Sequence, residues 1–299
     1  MRQSPARWAV RKKARGQMSR RPRENLRQGG EAMKMATLMR SIGSDFTDEV
    51  IEELLLRSRG KVDNALQRIR RPQAAVGVVK SPLGNLLVAM SNRGIVLNHY
   101  LVDDRDLAAT LEKVRSQLDL VEDPRTIKEV GVEIHRYLAG EEKALRQNID
   151  LSLAASPFQE KVLRKLQEIP RGAVVSYQAL GAAAGAPKGA RAVGNAMHNN
   201  PVPIYVPCHR VILSDGGLGG YGGGAARKLQ LLRSEGFALG DGDVRLPDSV
   251  VWGHRGTRIY CRTNCRAAAR ADRRRMLFFA GQKAARQAGL RSCKICRPD

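Results

Sequence analysis

The chain has 299 residues, and its 52 lysines and arginines outnumber 29 acidic residues to give a formal net charge of +23. A solvated surface rarely carries so large an excess, so a polyanionic partner, most simply nucleic acid, is expected on a chain long enough for about two domains. No run of about 18 apolar residues and no apolar N-terminal core is present, so neither a membrane span nor a secretory signal is expected.

Residues 1–35 are Arg-rich and punctuated by Pro and Gly, with about ten basic residues in the first thirty against the single acid Glu24. A disordered basic extension is expected there, and Met33 and Met35 offer alternative starts. A small helical segment is predicted over 36–72. Thr47 is a plausible N-cap ahead of Val50, Ile51, Leu54 and Leu55, and the pattern resumes after Gly60. From 74 the chain reads as strands. Val76–Val79, a turn at Ser81–Gly84, Leu86–Ala89, and Ile95–Leu97 after Gly94 predict a meander. Helices follow near 105–118 and 125–138, so 74–152 is read as a small α/β domain.

A mostly helical domain is expected over 153–240. Ser156-Pro157 starts a helix carrying Phe158, Val162, Leu163 and Leu166, which ends at Ile169-Pro170. Ser176 caps a short helix through Ala184, Gly185 turns the chain, and Pro187 opens a third helix to about His198. Two short helices about a Gly turn read as helix-turn-helix. The third helix is rich in small residues: Gly189, Ala190, Ala192, Gly194 and Ala196. They suit close approach to a nucleic acid backbone or to another helix, and the residues alone leave both open.

Five cysteines divide as one and four. Cys208 stands alone in Pro207-Cys208-His209-Arg210, ahead of a glycine-rich loop. Without a secretion signal, catalysis or metal binding is the better reading of these thiols than disulfides. After a linker at 241–251, the segment 252–299 carries Cys261-x3-Cys265 and Cys293-x2-Cys296. That spacing suits a tetrahedral Zn2+ held by four thiolates, with redox-active thiols as the alternative. Few apolar residues are present to fold this module without metal. The Arg run at 270–275 fits phosphate contacts.

Phe158-Gln159, Ile169-Pro170-Arg171-Gly172, Ser176-Tyr177, Arg191-Ala192-Val193-Gly194, Asn200-Pro201, Pro207-Cys208-His209-Arg210-Val211, Gly220-Tyr221 and Glu235-Gly236 fall in one order. In this the chain resembles the O6-alkylguanine-DNA alkyltransferase family over about 76–240. The resemblance implies an α/β, ribonuclease H-like N-terminal domain and a helix-turn-helix, winged-helix-like domain. It implies a monomer acting on double-stranded DNA that contains alkylated guanine. The alkyl group of O6-alkylguanine, with O4-alkylthymine as an extension, would move to Cys208 in a single turnover without a cofactor. Displacement at a saturated carbon needs a thiolate. His209 would reach the thiol through a water, Glu235 would orient the histidine, and Tyr177 would protonate the departing guanine. Asn200 would tie the turn before Cys208 to its helix and align Tyr177. Arg191 would take the place of the flipped base in the stack, with Ala190, Tyr177 and Arg210 as further DNA contacts. Met197, Pro203, Val211, Tyr221 and Gly222 would form the substrate pocket, Gly222 standing where the human-type protein has serine. Read alone, Cys208 is also consistent with an inert buried thiol, Glu235 with a helix-end charge and Asn200 with an Asx turn.

Tyr260-Cys261-Arg262, Phe278-Phe279-Ala280, Ala288-Gly289-Leu290-Arg291 and Cys293-x2-Cys296 resemble the zinc domain of Ada-type proteins. That resemblance makes Cys261, Cys265, Cys293 and Cys296 the Zn2+ ligands and Cys261 a candidate acceptor of phosphotriester methyl groups, with DNA docking alone, as in related zinc modules, as the other reading. It departs from the Ada pattern in standing at the C-terminal end. The alternative function is a lesion-sensing or Ada-like regulatory DNA-binding protein. Sensor-type relatives lack the acceptor cysteine that Cys208 supplies. A bacterial cytoplasmic location, on the nucleoid when in use, is expected.

Overall fold

The computed structural model describes residues 71–266 and 271–298. The extension expected over 1–35 and nearly all of the helical segment expected over 36–72 lie outside the described residues.

Strands β1 (Gln73–Ser81), β2 (Gly84–Ser91) and β3 (Gly94–Tyr100) form the predicted meander, each longer than its apolar run. Alternation along β2 supplies two faces. Leu86 and Val88 join a core with Ile127, Val130, Ile134 and Tyr137 of helix α2 (Pro124–Leu138). Leu87 and Ala89 join a second core with Val114 of helix α1 (Asp104–Arg115). The sheet therefore lies between two helices. Asp103 caps α1 by accepting from Asp106 N–H, and Asp123 with Pro124 starts α2. A short strand, β4 (Asp119–Glu122), departs from the predicted elements. It runs parallel to β1 and completes the order β3-β2-β1-β4. Its sequence, Asp-Leu-Val-Glu, is too short and too acidic to show a strand period. At Gly94, with φ +133°, a Cβ would lie 2.1 Å from Asn148 O, so only glycine closes this turn.

Helix α3 (Pro157–Gln167) has Ser156 as N-cap and Pro157 in its first turn, as the sequence indicates. Strand β5 (Ala173–Ser176) runs into helix α4 (Tyr177–Ala183), capped by Ser176. Gly185, with φ +85°, turns the chain into helix α5 (Ala190–His198). That helix starts three residues later than expected. Gly189 N–H is spent on a turn to Ala186 O, which leaves Pro187 outside the helix. The helices approach closely at Gly181, where a Cβ would lie 2.9 Å from Ala186 O and 3.3 Å from Val193 Cγ2. Ala190 and Ala192 are exposed, and a Cβ at Gly194 would meet open space. Only Ala196 of the small residues of α5 packs into the core. Among the described residues nothing covers the outer face of α5 at Ala190, Ala192 and Gly194.

After α5 come strand β6 (Val211–Ile212) and helix α6 (Ala225–Ser234). The C-terminal segment adds β7 (Val251–His254), β8 (Ile259–Arg262), β9 (Met276–Phe279), helix α7 (Gln282–Gln287) and β10 (Arg291–Ser292). The segment expected to be a linker packs back on the preceding domain: Leu218 N–H donates to Val244 O and Leu246 N–H to Gly216 O. The module itself is not tethered at a distance. β9 pairs antiparallel with β5, and one sheet runs β10-β8-β7-β9-β5-β6. Among the described residues no helix is long and apolar enough to cross a membrane.

Candidate functional site

Cys208, His209 and Arg210 form one turn of 3₁₀ helix between Pro207 and β6. At three residues per turn, successive side chains leave about 120° apart. Cys208 is 7% exposed. Asn200, just past α5, donates through Nδ2 to Cys208 Sγ at 3.1 Å and to Val206 O at 2.9 Å. Its Oδ1 accepts from Val202 N–H at 3.0 Å, so the Asx turn is present as well. These side-chain bonds position the thiol, and none reaches Tyr177. Close by, Ile204 is buried with φ +76°, an unusual conformation for a β-branched residue that costs on the order of 1–3 kcal/mol. Asn98, donating to Pro203 O at 2.7 Å, helps to hold the loop in it.

His209 is fully buried. Its Nε2 lies 2.8 Å from Glu235 Oε1, and its Nδ1 has no hydrogen-bond partner among the described residues. Burial would raise the Glu235 carboxyl, but Arg210 and then His209 hold it well below the usual carboxylate range. An ionised carboxylate accepts, so Nε2 carries the imidazole proton and Nδ1 presents a lone pair. Burial depresses the His209 pKa despite Glu235 and keeps the ring neutral.

Glu235 is the hub of this network. Arg210 Nε lies 3.0 Å from both carboxylate oxygens and its Nη2 2.8 Å from Oε1. Arg210 Nη1 donates to Ile169 O at 2.6 Å. Tyr137 OH donates to Glu235 Oε1, and Gly172 N–H donates to Oε2 at 3.2 Å. The expectation of Arg210 as a DNA contact is therefore corrected. Its guanidinium is buried and engaged by Glu235 and Ile169 O, because the 3₁₀ turn sends it inward.

Two participants were missed in the sequence. Tyr137 sits on the buried face of α2, under the Arg171 guanidinium at 4.6 Å from the ring centre. Lys228, on α6, is buried and donates to Val211 O at 2.7 Å, to Leu218 O and to Gly220 O at 3.3 Å. Burial brings its pKa down to about 8. Burial also raises the Cys208 thiol, an effect opposed first by the Asn200 hydrogen bond and then by the Lys228 charge.

Tyr177, at the start of α4, is partly buried, and burial followed by the nearby Cys208 raises its hydroxyl. It lines an open cavity with Gln178, Ala190, Arg191, Gly194 and Gly220. Arg191, the second residue of α5, is exposed. Neither Cys208 nor any of Met197, Pro203, Val211, Tyr221 and Gly222 lines that cavity. Val211 is fully buried opposite Val175 in the β5–β6 pair, so it acts there as core. Tyr221 OH pairs with Tyr100 OH at 2.8 Å, and the Tyr221 ring stands edge-on to His209. A Cβ at Gly223 would lie within 2.7 Å of both tyrosine rings, so Gly223 lets them meet.

The four sulfurs of Cys261, Cys265, Cys293 and Cys296 lie within 4.8 Å of one another. A tetrahedral site with metal–sulfur bonds of about 2.3 Å needs sulfurs about 3.8 Å apart, so a small contraction suffices and the donor set fits a metal. Cys261 is 2% exposed, and Cys296 is the most open of the four.

Residues 157–237 match the family described as 6-O-methylguanine DNA methyltransferase, DNA binding domain, and residues 238–299 match the metal binding domain of Ada. A methylated-DNA–protein-cysteine methyltransferase of Mycolicibacterium paratuberculosis is 41% identical over 157 residues, covering 52% of this chain and 89% of that protein. The same-named protein of Cricetulus griseus is 37% identical over 196 residues, covering 61% and 89%. The bifunctional transcriptional activator/DNA repair enzyme Ada of Escherichia coli is 38% identical over 153 residues, covering 51% of this chain and 43% of that protein.

Proposed function

We propose the following reaction for this chain, which belongs to the methylated-DNA–protein-cysteine methyltransferase family: the alkyl group of O6-alkylguanine in DNA passes to Cys208 Sγ, once per molecule. One observation carries the assignment of roles. His209, next to the thiol, is held by Glu235 through Nε2 while its other nitrogen is buried and unclaimed among the described residues. Nδ1 takes the thiol proton, through a water as the family resemblance implies, and Glu235 stabilises the imidazolium that forms. The thiolate attacks the alkyl carbon and the carbon–O6 bond breaks. The electron pair stays on guanine, which Tyr177 protonates. Asn200 and Lys228 stabilise negative charge on sulfur. No step passes through a metal.

For the fold we read the four-stranded domain as ribonuclease H-like, and α4–α5 as the helix-turn-helix of a winged-helix-like unit. The flipped base enters beside Tyr177, and Arg191 on the bare face of α5 fills its place in the stack. The four C-terminal thiolates hold Zn2+, which supplies folding free energy to the module. The alternative of a sensor or of acceptance at Cys261 is not favoured: Cys208 is present in a site that supplies a base, His209 held by Glu235. The unpaired cysteines fit a reducing cytoplasm.

The test is intact-protein mass spectrometry after mixing with a duplex containing O6-methylguanine, followed by peptide mapping. A gain of one methyl on the Cys208 peptide is expected. Tight lesion binding without that gain would make the chain a sensor.

The module also offers basic residues beside the helix-turn-helix. Arg255, Arg274 and Arg275 line a groove with Ala182, Ala183 and Pro187 at the α4–α5 turn. If they reach flanking phosphates, replacing Arg274 and Arg275 by alanine lowers duplex affinity about tenfold near 0.15 M salt. The slope of log affinity against log salt falls by about two, with the rate at saturating DNA unchanged. Filter binding at several salt concentrations checks this.

A further inference from the structure

Gly172 is held through both of its flanking peptide groups. Its N–H donates to Glu235 Oε2 at 3.2 Å, and its carbonyl accepts from Ala280 N–H at 2.8 Å. Gly172 has φ +71°, and a Cβ there would lie 3.1 Å from Ala284 Cβ and 3.2 Å from Glu235 O. A side chain there would be strained by the positive φ and would press on Ala284 of the C-terminal module. The approach continues along β9, where Phe279 stands opposite Ala173 and Phe278 opposite Val174. Phe279 is fully buried in the same core as Cys208 and Ile169, while Phe278 and Ala280 pack on the core that holds Val174, Ile212 and Leu232. The four-thiol cluster joins this path through Trp252 of β7, which stands opposite Cys261 on one side and opposite Phe278 on the other.

We infer that the segment Phe278–Ala280 is a positioning element of the alkyl-acceptor site. It fixes Gly172 through its carbonyl, and Gly172 through its N–H holds the second oxygen of Glu235, which in turn fixes the base His209. The metal-held fold of the module thereby sets the reactivity of Cys208, apart from any contact with DNA. This rests on the reading of Cys208 as acceptor and of the four thiols as a metal site.

The test uses the full chain and a free O6-alkylguanine base, a substrate that does not need the DNA-binding surface. Ala280→Pro removes the N–H, and Phe279 before it is already in the extended conformation that proline requires. The second-order rate is expected to fall at least fivefold near pH 7. The deficit is expected to shrink as pH rises towards ionisation of the thiol, where base assistance by His209 is no longer needed. In the wild-type protein, removing zinc with a chelator is expected to do the same and to speed amide hydrogen exchange at Ala280, with both effects reversed by added zinc. An unchanged free-base rate overturns the inference, whatever happens to duplex affinity. An equal loss at every pH also overturns it, since that marks general loss of structure. If Ala280→Pro does not fold, the chelation arm decides by the same criteria. A wild-type chain that methylates Cys208 from neither substrate fails the functional reading itself.

Discussion

Cys208→Ser is expected to abolish alkyl transfer, to below about a thousandth of the wild-type rate, while leaving lesion binding intact. Serine is nearly the same size, and its oxygen still accepts from Asn200 Nδ2, which now lies 3.1 Å from sulfur. What is lost is ionisability. A free thiol ionises near pH 8.5, and a hydroxyl far higher. Burial pushes the Cys208 thiol up, and Asn200 and Lys228 oppose that rise only in part, which leaves His209 to take the proton during attack. Those aids are enough for a thiol and not for an alcohol. Single-turnover transfer from a methylated duplex, followed by mass spectrometry, measures the loss. Lesion binding by the variant, read by fluorescence anisotropy, separates chemistry from recognition. Substantial transfer to any other residue of this variant would place the acceptor elsewhere.

The sequence shows the frame of this site and hides its wiring. Ser156-Pro157, Ser176 and Gly185 mark their caps and turn because those positions have local stereochemical demands. Cys208, His209 and Glu235 stand out because their motifs are dense. Arg210 misleads because, in the string Pro-Cys-His-Arg, an arginine in a basic protein suggests DNA. The 3₁₀ turn that sends it inward is a property of backbone geometry. Tyr137 follows Ile127, Val130 and Ile134 at helical spacing, so its sequence signal is that of a core aromatic. Its hydroxyl finds Glu235 only when the two halves of the chain meet. Lys228 did leave a trace, since it shares the buried face of α6 with Leu231 and Leu232, an unusual place for a lysine. The docking of β9 on β5 left none. Met-Leu-Phe-Phe states that a strand is apolar and not which edge it joins.

Glu235→Gln is expected to cost about 3–5 kcal/mol of stability and about a hundredfold to ten-thousandfold in transfer rate. Glutamine fills the same space but carries no charge, so the Arg210 guanidinium stays buried without its counter-ion. The side chain also presents one acceptor oxygen where Arg210, His209, Tyr137 and Gly172 now converge on two. His209 loses the fixed acceptor that keeps the proton on Nε2, so Nδ1 is no longer reliably bare. Denaturant unfolding and single-turnover transfer measure the two losses separately. Acid adds a signature. Glu235 is held below its unfolded pKa of about 4.3, so its contribution is complete above that pH and is lost as pH falls from there towards the folded value. His209 is also depressed, so in the wild type a first loss of stability begins as pH falls below about 6.5, where the unfolded histidine takes up its proton. Glu235→Gln therefore keeps the wild type's loss between about pH 6.5 and 4.5 only if His209 remains neutral, and flattens the steeper fall below it. An acid-stability curve that matches the wild type's slope below about pH 4 would show that Glu235 is not the carboxylate whose charge the fold depends on.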